Sequence, residues 1–471
     1  MSRPSANPPQ TRKRAVMSVS PDTPAAPPAS QQKAARKAAF AAALATSLEW
    51  YDFYIYGTAA ALVFSKTFFA TDNEVVAALN AFATVAIGFI ARPVGGIISG
   101  HFGDRIGRKP VLVFATLLMG IATALIGFVP NTEIVWLAPV LLVTLRICQG
   151  LAVGAQWGGA VLLATEYAPA NRRGFFGSFA QLGIPIGVVL GNGIFLVVAW
   201  LVSPEAFMSW GWRVPFWISL VMILVAFGIH KYLEETPEFQ KVEEKLATTP
   251  AQQKSPVFQV LRRNLSTVLL AGGTYLVGIA MFYITITGSI QVATTNLGMA
   301  RADVLWIIMV GAAVLIPMVP FTAHLSDVYG RRLIYGIGIA GMGLWAIPMW
   351  MLIQSSGSGK IWPFAIALIV SCFVMSFQTG PQAALFAELF PAEIRYSGAS
   401  LGYQAAAILG GMAPMAMVAL VNGHVSNIWR VGLMITALAV VALVCLLVLS
   451  LRARRTDRAA ETHPVPARAT R

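Results

Sequence analysis

Charge is the scarcest resource in this chain of 471 residues: only 11% are Asp, Glu, Lys or Arg, against 57% hydrophobic. Soluble globular domains carry about 25% charged residues, and disordered chains more, so both classes are excluded. Cysteine is nearly absent too. Cys148, Cys372 and Cys445 lie in apolar surroundings with no paired spacing, which excludes a disulfide framework and a thiolate metal centre. No cluster of His, Cys, Asp and Glu has metal-ligand spacing, so no metal and no cofactor is expected. There is no Gly-x-x-x-x-Gly-Lys-Ser/Thr loop to cradle a nucleotide, which argues against ATP-driven transport by this chain alone.

What is present is apolar sequence in long runs. They fall near 38–66, 77–103, 110–129, 135–165, 174–202 and 211–232, then near 265–292, 302–325, 333–354, 361–387, 397–422 and 427–451. A bilayer-spanning helix needs about 20 apolar residues, so these read as twelve spans. The fold class is therefore all-α integral membrane. Residues 1–37 are rich in Pro, Ala, Ser, Lys and Arg without an apolar signal core, and read as a disordered cytoplasmic tail. The segments 38–232 and 264–451 form two six-helix halves, 233–263 is a charged cytoplasmic linker, and 452–471 is a second tail.

The net charge of +14 is a topology signal rather than a nucleic-acid footprint. Most Lys and Arg fall in the tails, the linker and the loops on the side of the termini. The opposite side holds Lys66, Arg213, Arg301, Lys360 and Arg430. The excess places both termini in the cytoplasm. A bacterial inner membrane suits these features.

An internal repeat organises the chain. Gly100-His-Phe-Gly-Asp104-Arg-Ile-Gly107-Arg108-Lys109 is matched by Ala323-His-Leu-Ser-Asp327-Val-Tyr-Gly330-Arg331-Arg332 at an offset of 223 residues. Glu166-x-x-Pro169-x-x-x-Arg173 is matched by Glu388-x-x-Pro391-x-x-x-Arg395 at an offset of 222. Two motif pairs at nearly one offset describe pseudo-symmetric halves, an architecture suited to alternating access with a binding site between the halves. The clusters Asp104/Arg108/Lys109/Glu166/Arg173 and Asp327/Arg331/Arg332/Glu388/Arg395 sit at the membrane boundary, where ion pairs can differ between conformations. They are the expected gates.

Ionisable residues inside spans are costly and mark function by default. Glu49 lies roughly 16 Å into span 1 and Arg92 roughly 18 Å into span 2, counted from the terminal side at 1.5 Å per residue. Their depths match. Asp52 follows Glu49 by three residues, with Tyr56 a turn further on. The expectation is that both carboxylates face Arg92, whose planar fork suits a substrate carboxylate. A permanent structural ion pair is the alternative reading. With Glu49, Asp52, Arg92 and Arg146 all charged the buried set is neutral, and one protonation leaves +1 for a monoanion to cancel. Protons are thus the expected coupling ion. Gln181, Tyr283, Gln378 and Gln404 are further polar residues in spans, available as ligand contacts or as interhelical hydrogen bonds.

Several motifs resemble a known family. Gly-x-x-x-Asp104-Arg-x-Gly107-Arg108-Lys109 is similar to the signature loop of the major facilitator superfamily, and Arg146-x-x-Gln149-Gly150-x-x-x-Gly154 to its span-4 motif. Glu49-Trp-Tyr-Asp52-Phe-x-x-Tyr56, Ala91-Arg92-Pro93-x-Gly95-Gly96, Ser209-Trp-Gly-Trp-Arg213-x-Pro215-Phe, Glu234-Glu-Thr-Pro237-x-Phe and Glu388-Leu-Phe-Pro391-x-Glu-x-Arg395-Tyr-x-Gly398 resemble the metabolite:proton symporter branch. That branch includes permeases for shikimate, α-ketoglutarate, citrate and proline/betaine. The resemblance implies twelve helices in the major facilitator fold and a role in proton coupling for Arg146. One position departs from it: family members often carry Glu where Gln156 stands, which removes one proton carrier and leaves Gln156 as a polar cavity residue.

The resulting expectation is a secondary transporter importing a small organic anion, a carboxylic acid metabolite, with protons. Its partners are that metabolite, protons and the bilayer, with no nucleic acid and no obligatory protein partner. A zwitterionic osmolyte symporter and a drug or metabolite antiporter are the transport alternatives. A membrane-embedded transferase would need an acidic metal cluster or a polar catalytic pair that the sequence lacks.

Overall fold

A computed structural model of the chain describes residues 29–106, 108–131, 134, 136–154, 160–161, 164–165, 167–232, 260, 262, 264–391 and 394–462. The described residues form twelve long helical rods. In the first half these are α1 (Ala29–Ala59), α2 (Glu74–Ile106), α3 (Arg108–Ile126), α4 (Leu137–Gly154), α5 (Phe179–Leu201) and α6 (Val214–Tyr232). In the second half they are α7 (Leu265–Tyr283), α8 (Arg301–Tyr329), α9 (Arg331–Gln354), α10 (Trp362–Glu388), α11 (Arg395–Gly411, resumed at Ala413–Val421) and α12 (Trp429–Thr462). Nine rods among the described residues are long and apolar enough to cross a membrane. The other three are α1, which carries Glu49 and Asp52, α3, whose apolar stretch is the shorter Phe114–Ile126, and α6.

Two helices outrun their apolar runs. α1 begins at Ala29 and α12 continues to Thr462, because the flanking Gln, Lys, Arg, Ala and Glu residues are strong helix formers even outside a bilayer. The expected tails thus have helical inner ends, while 1–28 and 463–471, with 233–259 of the linker, lie outside the described residues.

Packing repeats as the motifs do. In the first half α1 packs on α5, α2 on α4, and α3 on α6. In the second half α7 packs on α11, α8 on α10, and α9 on α12. The halves meet through α5 against α8 and α2 against α11, and these two seams exchange under the same equivalence. The first helix of each half also widens into a π turn at a matching position, Ala60–Phe64 after α1 and Ile284–Gly288 after α7. Such turns are frequent at functional sites. Gly57 of α1 lies against the second turn, where a Cβ would stand 3.1 Å from Thr287 Cγ2. Between the halves a cavity of about 10 Å³ remains, lined by Trp50, Pro185, Tyr275, Tyr283, Leu315 and Thr379. That is room for about one water, too little for a small organic molecule.

Candidate functional site

Two buried arginines form the centre. Their positions follow from glycines that bring α2 and α4 into backbone contact. A Cβ on Gly150 would overlap the Gly88 carbonyl, and one on Gly154 would overlap the Arg92 carbonyl. The span-4 glycines therefore pack helices, and the small-residue spacing is what allows the approach. Arg92 is 1% exposed and Arg146 is fully buried. The Arg92 guanidinium carbon stands 4.2 Å from the Phe89 ring centroid, 4.3 Å from Phe53 and 5.6 Å from Trp50. That of Arg146 stands 3.8 Å from Phe53 and 4.3 Å from Tyr56. Ring faces stabilise these cations where water cannot. Among the described residues, Nε and Nη1 of Arg92 and Nε and Nη2 of Arg146 have no hydrogen-bond partner.

The carboxylates are arranged differently from the sequence expectation. Asp52 does not face Arg92. Its Oδ1 accepts from Ser219 Oγ of α6 at 2.6 Å, and the Thr123 hydroxyl of α3 approaches the same carboxyl group. Thr123 Oγ1 accepts from Gln149 Nε2 at 2.7 Å, and Gln149 Oε1 accepts from Arg146 Nη1 at 2.9 Å. Thr123 Oγ1 itself donates to the Met119 carbonyl at 2.8 Å, so Arg146, Gln149 and Thr123 form a buried hydrogen-bonded chain that ends beside Asp52. The physical reason is space: aromatic rings of Trp50, Phe53 and Phe89 fill the region around Arg92, while α3 and α6 offer hydroxyl donors. Glu49 is buried and lies in the field of Arg92, but no ion pair within 4.0 Å joins either carboxylate to either arginine among the described residues. Arg146 shares the Phe53 ring with Arg92.

The other polar residues separate into two groups. Tyr283 stacks edge-on against Phe89 at 4.9 Å, its hydroxyl beside Arg92 and without a well-formed hydrogen bond. Tyr54 lies 6.3 Å from Tyr283, and Tyr275 stacks on Tyr403 at 5.2 Å. Gln404 is 2% exposed, and neither its Oε1 nor its Nε2 has a partner among the described residues. Gln181 Nε2 donates to Gln382 Oε1 across the halves at 2.8 Å, leaving Gln181 Oε1 and Gln382 Nε2 unpartnered. Two residues expected at the cavity are occupied elsewhere. The Tyr56 hydroxyl donates to Thr84 at 2.7 Å, and Gln378 Nε2 donates to the Thr274 carbonyl at 2.9 Å, under Gly278. Sequence reasoning missed Phe53, Phe89, Trp50 and Tyr54, which read there as packing aromatics. It also missed Thr123 and Ser219, because single hydroxyls in apolar spans carry no distinguishing pattern, and it took Gln149 only as a member of the span-4 motif.

At the end of the bundle nearer the termini, the second charge cluster bridges the halves. Gly330, at φ +98°, turns α8 into α9 and brings Asp327 and Arg331 to one place, which a side chain at that position would strain. Asp327 accepts from the backbone N–H of Gly174 and Phe175 of the first half, each at 2.9 Å, and from Arg331 Nη1 at 2.8 Å. Arg331 Nε also donates to Glu388 at 2.5 Å. Arg332 and Arg173 are exposed, and Arg395 Nε donates to the Phe390 carbonyl at 3.4 Å. The side chains of Asp104, Arg108 and Lys109, and the residues Gln156 and Glu166, lie outside the described residues.

Two pseudo-symmetric six-helix halves, a buried arginine beside their seam and a charge cluster that bridges them are the architecture of a polytopic membrane transporter. Comparison with known proteins agrees. The profile of the Sugar (and other) transporter family matches residues 38–255, and that of the Major Facilitator Superfamily matches residues 270–470. The inner membrane metabolite transport protein YhjE of Escherichia coli is 40% identical, covering 87% of this chain and 93% of that one. The shikimate transporter of E. coli is 37% identical over 86% and 92%, and the proline/betaine transporter of E. coli 31% over 87% and 82%. The solved proton:xylose symporter XylE superposes with a TM-score of 0.68 at 21% identity, covering 87% of this chain and 95% of that one, which establishes the shared fold. The chain belongs to the major facilitator superfamily. It is a multi-pass membrane transporter of metabolites rather than an enzyme.

Proposed function

We propose that the chain imports a small organic anion, a carboxylic acid metabolite, together with protons across a bacterial inner membrane by alternating access. The observation that carries this reading is Arg92: a cation at the seam of the two halves, held by ring faces, with two N–H groups unpartnered. A carboxylate is the natural partner for that fork. A quaternary ammonium osmolyte is disfavoured because the ring faces of Phe53 and Phe89 are already occupied by guanidinium.

Coupling follows from buried charge. Glu49, Asp52, Arg92 and Arg146 sum to zero when all are ionised. Protonation of a carboxyl leaves +1, and an incoming monoanion restores neutrality, so loading both together is cheaper than loading either alone. We assign the proton to Asp52, a buried carboxyl held by the Ser219 hydroxyl with no arginine within ion-pair distance among the described residues, with Glu49 setting the field at Arg92. The excess of Lys and Arg near the termini places that end in the cytoplasm. The Asp327 cluster is then the cytoplasmic gate, and repeat equivalence gives Asp104 the same task at the start of α11.

Purified chain in proteoliposomes tests this. Uptake of labelled carboxylic acids should rise under an inside-alkaline pH gradient and vanish with a protonophore. Asp52→Asn should retain downhill exchange while losing gradient-driven accumulation. Accumulation unaffected by both the protonophore and Asp52→Asn would overturn the proposal.

A further inference from the structure

Buried charge is distributed unequally between the halves. Among the described residues, the charged residues buried in the membrane region, Glu49, Asp52, Arg92 and Arg146, all belong to the first half. The buried polar residues of the second half, among the described residues, are Ser, Thr, Gln and Tyr only. Of the two arginines, Arg146 donates to Gln149 and packs on Gly88, where a Cβ would stand 2.7 Å from its Nε, inside the first half. Arg92 packs on Phe89, whose ring meets Tyr283 of the second half edge-on at 4.9 Å.

Gln404 lies on α11, the second-half helix that packs on α2. On α11, Gly402, Ala405 and Ala406 meet α7 at Gly272, and Gly411 meets Phe89 of α2. At 3.6 residues per turn, Gln404 is roughly 200° around the helix from Gly402 and roughly 20° from Gly411. It therefore lies on the face turned to α2, two turns from Gly411 in the direction of Arg92. Its amide is 2% exposed, with donor and acceptor both unpartnered.

A carboxylate beside that amide would use its donor and leave Oε1 facing an anion. An ammonium would use Oε1 and leave the donor. A hydroxyl, which both gives and receives, satisfies the two together. Resting on the anion reading above, we infer that the transported anion is a hydroxylated monocarboxylate, its single charge on Arg92 and its neutral body read by Gln404. A second carboxylate would enter a half with no buried cation to meet it, and a hydroxyl-free acid would leave the amide unsatisfied.

Initial uptake by the full chain in proteoliposomes, under an inside-alkaline pH gradient, decides this with matched probes. Glycerate and propionate, gluconate and hexanoate, and quinate and cyclohexanecarboxylate differ chiefly in their hydroxyls; succinate and glycine betaine complete the set. At least one hydroxylated acid should be taken up, at least about 10-fold better than its hydroxyl-free counterpart, with succinate and betaine refused. Gln404→Leu should raise half-saturation for that acid by about 10- to 100-fold and leave the hydroxyl-free counterpart unchanged. Uptake of succinate, or of the hydroxyl-free acids, as readily as the hydroxylated ones would overturn the inference while leaving anion import standing. Unchanged half-saturation in Gln404→Leu would also overturn it. Betaine uptake with no carboxylate moved would overturn both readings. The wild-type comparison decides the matter even if the variant does not fold.

Discussion

Replacing Asp327 by Asn removes a charge from a contact that joins the halves. In the closed gate the carboxylate accepts two backbone N–H bonds from the first half and one bond from Arg331. The Asn amide keeps one oxygen acceptor and turns an NH₂ toward groups that are themselves donors. The side chain of Asp327 is only 4% exposed, so water replaces little of what is lost. Hydrogen bonds to charged groups contribute about 1.5–3 kcal/mol each. Allowing for relaxation and for the bond that survives, the closed gate should lose about 2–3 kcal/mol, a shift of about 30- to 150-fold toward the open gate. Labelling of a cysteine placed on α10 below the gate, in membranes of known orientation, reports the open fraction. Labelling in Asp327→Asn should rise several-fold above the wild-type background and approach completion, with transport reduced and protein still in the membrane. Equal labelling in both proteins would refute the assignment of this cluster as a gate.

Three further outcomes follow. Arg92→Lys should raise half-saturation for the transported acid by about 30-fold, because an ammonium makes neither the bidentate contact nor the same stacking on Phe53 and Phe89; uptake kinetics in vesicles measure it. Ser219→Ala removes the hydroxyl that Asp52 Oδ1 accepts from at 2.6 Å, and should reduce gradient-driven accumulation in proteoliposomes while downhill exchange continues. Gly154→Val cannot fit against the Arg92 carbonyl, and should destabilise the chain by about 1–3 kcal/mol, seen as a lower melting temperature in detergent together with lost transport.

The helices and the two-half repeat were legible because they rest on properties that add along the chain. Run length reports the bilayer, and the offset between Asp104 and Asp327 reports duplication. Arg92 and Arg146 were legible because a buried charge is rare enough to stand out. Their surroundings were not. Whether Asp52 turns to Arg92 or to Ser219 depends on which side has room, and that is settled by the rings of Trp50, Phe53 and Phe89 from two helices. Tyr56 and Gln378 show the same limit: polar residues at cavity depth, spent on Thr84 and on the Thr274 carbonyl. Gly150 and Gly154 could be read as packing residues from spacing alone, but not that their partner is the backbone at Gly88 and Arg92.

Proton movement that accompanies substrate entry tests the coupling claim most directly. Proteoliposomes loaded with a pH-sensitive dye, at equal pH inside and out and with the membrane potential clamped, receive an external pulse of the transported acid in its fully ionised form. The lumen should acidify in step with uptake of labelled acid, and Asp52→Asn should abolish acidification while exchange of label continues. Uptake of the acid without acidification in the unmodified protein would contradict proton-coupled import.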